Sequence, residues 1–393
     1  MKKNIIMLLL AISMFFGWKN MADAKEVETV SHSDLTERIA ESKEDLSEIR
    51  DSVPESAITY AKEIYIDMCK LAEKDLGKKL DYQTLRLGEP YIIYDVEKKD
   101  EQDAVFYFPI ESGEHVYLTL EVIQTDEGMK GGISPATGIY QKKSLYENSI
   151  FYKDQENIHA QTISPISLSS KKVKIKEFNE YDSFSDLDAY AKVKVMSHQV
   201  KRYQKIQTKN LKVDPDAKEG YSPGFSVEGK GKRVCNSGPY MVPQANKNIC
   251  WAACVASIYN YFFNKHISAK TVSKKVLGKY DGAKPKQVLK AFKMYHMDVY
   301  KYADYPITYD KIMQNILYKR MMIAVGFWRK DFPVHDVVVT GYHNSSKKKE
   351  VKIYDPSEDT WKWIVPGGKK EEYKYVFISE GAPYVWKYTY YVY

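Results

Sequence analysis

Apolar residues recur on two different periods along this chain, and the change of period divides it. Ala61, Ile64, Met68 and Leu71 return every three to four residues, the spacing of one helical face. Ser52 and Glu55 stand at S-x-x-E spacing with Pro54 between them, so a capping box is expected to open this helix, over about residues 52–76. The segment before it, residues 25–50, is polar and charged and reads as a leader, mobile or helical. From Leu85 to about residue 196 the period shortens to two. PYIIYDV, AVFYFPI, HVYLTLEVIQ, GIYQKKSLY and KVKIKEF are short aromatic and β-branched runs between turn signals, expected as strands of an antiparallel sheet.

Periodicity is lost between Lys205 and Tyr240, where Gly, Pro, Ser and Lys dominate. Such a stretch reads as an exposed linker open to proteolysis, placed at residues 206–235. Beyond it CWAACVASIYNYFF is apolar on nearly every face and is expected as a buried helix. Amphipathic helices follow around Ser268–Leu277, Pro285–His296 and Thr308–Tyr318, then strands at MIAVGFW, HDVVVTGY, VKIYDP, WKWIV, EYKYVFI and VWKYTYYVY. Helices first and a sheet after describe an α+β domain over residues 236–393, preceded by a β-rich domain with an N-terminal helix over residues 25–205.

The N-terminus adds an address. Lys2 and Lys3, an apolar run from Ile5 to Phe16 and the A-x-A site at Ala22 and Ala24 form a secretory signal peptide, with export expected after cleavage near Ala24. The run is shorter than the roughly 20 residues that span a bilayer, so permanent membrane insertion is not expected. Four cysteines, Cys69, Cys235, Cys250 and Cys254, make no disulfide framework in a chain of 393 residues. No C-x-x-C or H-x-x-x-H pair suggests zinc, and no metal or other cofactor is expected. Residues 236–393 hold 25 Lys+Arg against 13 Asp+Glu, a charge of +12, whereas residues 1–235 carry −5. The two parts should attract each other. No nucleic-acid motif interleaves with the basic residues, so nucleic acid is not an expected partner.

Candidate chemistry centres on Cys250. A helix N-terminus offers unpaired backbone N–H groups that favour a thiolate. Asn248 is placed to cap that terminus, and Cys254 lies one turn deeper on the same face, where burial is expected. A nucleophilic thiol needs a base and a group to orient it. Of His266, His296, His335 and His343, His335 begins an apolar strand and could face a cleft while held rigidly. The next strand ends in Asp355 before Pro356, and antiparallel pairing of the two would bring Asp355 to His335. Gln244, six residues before Cys250, could donate to an oxyanion beside the Cys250 N–H. Each residue has a commoner structural role; the order Gln, Cys, His, Asp is what points to a nucleophilic site.

These blocks, QANKNICWAAC, HDVVVTGY and IYDP, resemble the Gln, Cys-Trp, His and Asn/Asp blocks of papain-like cysteine peptidases of the compact bacterial, staphopain-related type. The resemblance covers roughly residues 240–393. It implies a papain-like catalytic domain, with a helical part and an antiparallel half-barrel, in which Cys250 is the nucleophile, His335 the base, Asp355 the orienting residue and Gln244 the oxyanion donor. LGEPYIIY and YFPI also resemble a staphopain propeptide, a β-rich half-barrel that blocks the cleft. The implied partners are protein or peptide substrates and the chain's own prodomain as an intramolecular inhibitor, with room for a dedicated protein inhibitor. Trp251 and Trp361 are candidate substrate-binding walls.

Two departures from the resemblance stand out. Val334 precedes His335 where many relatives have Gly, which narrows the expected approach, and Asp355 replaces papain's Asn. Cys235 and Cys254 could form a disulfide worth about 3 kcal/mol at this loop length. Two other readings use the same residues: an acyltransferase of transglutaminase-like chemistry, and a secreted binding or toxin protein with a relict site.

Overall fold

The computed structural model describes residues 32–98, 101–154, 157–164, 184, 187–200, 203–208, 232–235, 240–245, 248–303, 307, 309–317, 321–329, 332–344, 349–365 and 375–392. The signal peptide, the KVKIKEF run and residues 209–231 of the linker lie outside the described residues.

The N-terminal part holds helices α1 (His32–Asp51), α2 (Glu55–Leu76), α3 (Lys143–Glu147) and α4 (Ala189–Gln199). Its strands are β1 (Arg86–Leu87), β2 (Ile93–Asp95), β3 (Gln102–Asp103), β4 (Val105–Ser112), β5 (His115–Thr125), β6 (Gly128–Pro135), β7 (Ser149–Lys153), β8 (Ile158–Thr162) and β9 (Tyr203–Gln204). Helix α2 buries the expected stripe, including Ala57, Ala61, Ile64, Met68 and Leu71, and Gly77 ends it at φ 65. Cys69 is buried beside that stripe, and burial pushes its thiol up to about 12.

The capping box does not form. Pro54 is the N-cap, while Ser52 Oγ donates to Ile49 O at 2.5 Å and pairs with the Tyr203 hydroxyl at 2.7 Å. Helix α1 ends so close upstream that its last carbonyls capture the hydroxyl. Two other segments are helical where strands were expected. GIYQKKSLY forms a 3-10 turn at Gly138–Gln141 and then α3. Residues 189–199 form α4, because the Asp188 side chain accepts the Ala191 N–H at 2.8 Å and starts a helix despite the alternating valines.

The C-terminal part holds α5 (Cys250–Phe263), α6 (Ala269–Leu277), α7 (Pro285–Met294) and α8 (Tyr309–Leu317). Its strands are β10 (Lys232–Cys235), β11 (Val299–Ala303), β12 (Met321–Arg329), β13 (Phe332–Asn344), β14 (Lys349–Asp355), β15 (Thr360–Ile364), β16 (Val376–Ser379) and β17 (Ala382–Val392). Strand β10, inside the expected linker, pairs with β13, so the end of that linker is sheet. The valines of β13 divide between two cores. Val338 packs with α5, α6 and α7, whereas Val337 and Val339 pack with Ile312, Phe377 and Trp386. Burial on both faces explains why HDVVVTGY is a continuous apolar run.

One sheet runs through both parts, in the order β1-β4-β5-β6-β15-β14-β13-β12-β17-β11. Its junction is the antiparallel pair β6 and β15, with Gly132 opposite Ile364 and Ile133 opposite Trp363. Side chains reinforce it. Asp75 accepts from Lys352 Nζ and Trp363 Nε1, both at 2.8 Å, and Glu121 accepts from Lys362 Nζ at 3.0 Å. In both ion pairs the acid comes from the acidic part and the base from the basic part. Among the described residues, no helix is long and apolar enough to cross a membrane.

Candidate active site

Helix α5 begins at Cys250. Its N-cap is Ile249, not Asn248, and no side chain caps it; Asn248 instead takes the left-handed region at φ 69. The N–H groups of Ala252 and Ala253 return to Ile249 O at 3.0 Å. The first N–H groups of a helix have no acceptor within it, so an uncapped start leaves donors at the thiol itself. Cys250 is 7% exposed.

Strand β13 passes directly beneath this helix. One turn below Cys250, the Cys254 Sγ donates to Asp336 O at 3.2 Å, and Asp336 is the neighbour of His335. That contact brings the imidazole under the helix start, where the Cys250 sulfur is one of the groups that hold the ring's pKa up. The ring's hydrogen-bond partner is Asp355, whose Oδ1 lies 2.8 Å from His335 Nε2. Asp355 ends β14, the antiparallel neighbour of β13. The His335 ring also packs on Phe377 and Tyr384, with centroids at 6.2 and 5.3 Å.

Burial favours neutral imidazole, but the charge and hydrogen bond of Asp355, together with the Cys250 sulfur, outweigh it and hold His335 well above its ordinary value. Burial likewise opposes ionisation of Asp355, and the His335 and Lys362 charges overcome it, keeping the carboxyl below the usual range. The two shifts agree in sign and describe one buried ion pair.

Gln244 reaches the same place by its backbone and its side chain. Its N–H donates to Pro356 O and its Nε2 to Ser357 Oγ, each at 2.8 Å. Ser357 N donates to Asp355 Oδ1 at 2.9 Å, and Ser357 Oγ donates to Glu380. Ser357 thus ties Gln244 to Asp355, a link the sequence reading missed. The signal was present: an Asp whose side chain accepts the N–H two residues on is an Asx-turn, and Asp355-Pro356-Ser357 has that form.

The structure places the remaining candidates elsewhere. Trp251 is turned into the helical core, 2% exposed, and its Nε1 donates to Asp281 O at 2.9 Å. Trp361 packs on the N-terminal core, with Lys352 Nζ 5.2 Å from its ring. Neither is seen lining the Cys250 region, because a helix and a strand alternate their faces and these indoles fall on the inward ones. Val334 is 46% exposed.

The Cys235–Cys254 disulfide is not formed. Cys254 is a free buried thiol, raised well above its ordinary value by burial first and by Asp336, Cys250 and Asp355 next. Cys235 stands opposite Gly341, five residues along β13 from Asp336, or roughly 17 Å at strand rise. Disulfide geometry requires Cα atoms within about 7 Å.

A cysteine at an uncapped helix start, joined through a buried imidazole to a carboxylate on the adjoining strand, is the arrangement of the papain-like cysteine peptidases. Residues 239–367 match the Peptidase C39 family, which belongs to that superfamily, so this chain carries a cysteine peptidase domain. Gln244, Cys250, His335 and Asp355 all fall inside the match. No curated protein matches the chain significantly.

Proposed function

We propose that the protein is a secreted cysteine endopeptidase made as a zymogen. The observation that carries this reading is the 2.8 Å contact between His335 Nε2 and Asp355 Oδ1, on a ring whose pKa the Cys250 sulfur also raises. In this reading the Cys250 thiolate attacks a peptide carbonyl, and the oxyanion is met by the Cys250 N–H and the Gln244 amide. One amide hydrogen goes to Ser357, and in this reading the second meets the oxyanion. His335 passes its proton to the leaving amine. Water, deprotonated by His335, then hydrolyses the thioester and restores the thiol.

The N-terminal part is the inhibitory segment, similar in kind to a staphopain propeptide. Its support is twofold: β6 of the N-terminal part pairs with β15 in one sheet, and Lys153 of β7 donates to Gly381 O at 3.0 Å, beside the Glu380 that holds Ser357. Cleavage within residues 206–235 would release it. Mass spectrometry of the secreted protein tests the whole reading. Wild type and Cys254→Ala are expected to yield new peptide termini and a matured chain, and Cys250→Ala neither; equal loss in both variants would refute the assignment.

A further inference from the structure

Lys362 lies on β15, opposite Ile353 of β14, with Asp355 two residues further along the same face and opposite Thr360. It is 1% exposed, and its ammonium has three donors. Each has an acceptor: Ile378 O at 2.7 Å, Glu358 Oε2 at 2.8 Å and Glu121 Oε1 at 3.0 Å. Glu358 belongs to the turn after Asp355, and its Oε1 accepts the Glu380 N–H at 2.6 Å. That turn also carries Ser357, which holds both Asp355 and Gln244. The ammonium therefore holds, through Glu358, the turn that carries Ser357. One of its three acceptors, Glu121, comes from the N-terminal part.

We propose that Lys362 is a positioning residue for Asp355 and that Glu121 tunes it, so the N-terminal part acts on the site through this ion pair. The inference rests on the reading of Asp355 as the residue that orients His335. A fixed cation on the same sheet face favours the carboxylate, and a second carboxylate beside that cation weakens the effect. Other titratable groups face the cluster: Tyr107 and Tyr91 toward Glu121, and Tyr107 also toward Glu358. His335, Cys254, Tyr354 and Tyr384 face Asp355.

The test is the pH profile of Cys250 alkylation by iodoacetamide in the full-length chain, read by mass mapping of the Cys250 peptide. Lys362→Met is expected to move the onset of reactivity up by about one pH unit, because Asp355 then protonates more easily and leaves His335 without its counter-ion. Glu121→Gln is expected to move it down, since a like charge facing Asp355 is lost. A merely structural role would lower reactivity at every pH without moving the onset. If Lys362→Met fails to fold, as buried Glu121 and Glu358 left without their cation would cause, Glu121→Gln alone decides, and an onset that does not move down overturns the proposal. Profiles unchanged in all folded variants, including no reactivity in any, would overturn the proposal. A wild-type chain that shows the onset but cuts no peptide would sink the peptidase reading and leave this one standing.

Discussion

Asp336 gives the sharpest energetic test of the fold around the site. It is 4% exposed, its Oδ1 has no hydrogen-bond partner among the described residues, and burial raises its carboxyl to about 7 despite the neighbouring His335. An unfolded Asp titrates near 3.9. Between those values the folded chain holds a proton that the unfolded chain has released, so stability falls as pH rises from about 4 to about 7 and is level above. A gap of about three pH units at about 1.4 kcal/mol each sets a ceiling of about 4 kcal/mol. Asp336→Asn removes the titration. Its new amide costs about 1–3 kcal/mol if unpaired, but equally at every pH. Urea midpoints of the full-length chain at pH 5 and pH 8 should therefore show the Asp336→Asn variant gaining on wild type by on the order of 2 kcal/mol between the two. An unchanged difference at the two pH values would mean that Asp336 ionises freely, and the burial argument would fail.

Further outcomes follow from the same geometry. Gln244→Ala should lower kcat on the order of a hundredfold with little change in KM, measured on a short peptide after maturation; a loss confined to KM would mean that the amide binds substrate instead. Gly326 lies opposite His335, and a Cβ there would meet Phe377 Cζ at 2.5 Å and Tyr384 Cβ at 2.8 Å, the rings that pack on the imidazole. Gly326→Ala is thus expected to cost about 1–3 kcal/mol in thermal unfolding and to depress kcat. Trp251→Phe loses one hydrogen bond to Asp281 O and should cost about 0.5–1.5 kcal/mol, with kcat/KM unchanged.

Local signals were readable where one period dominated. The stripe of α2, the all-apolar α5 and the twofold-buried β13 each follow from spacing. Misreadings came where a nearer group captured a side chain, as Ile49 O took Ser52, or where a cap overrode alternation, as Asp188 did for α4. Cys250, His335 and Asp355 were legible as candidates because Cys and His are scarce in residues 236–393 and the three stand in separate, recognisable elements. Lys362 carried no such mark, since a lysine in WKWIV reads as a solvent-facing position between two buried tryptophans.

What the sequence determined by itself was therefore the set of elements and the residue types able to do the chemistry, since periodicity and caps act over a few residues. The tertiary structure decided which of those residues meet. The register of β13 on β14 set Asp355 against His335, the passage of β13 under α5 set His335 against Cys250, and the pairing of β6 with β15 drew Glu121 onto Lys362. Contacts between residues as far apart as Glu121 and Lys362 depend on how whole strands stack and pair, and no local pattern records that choice.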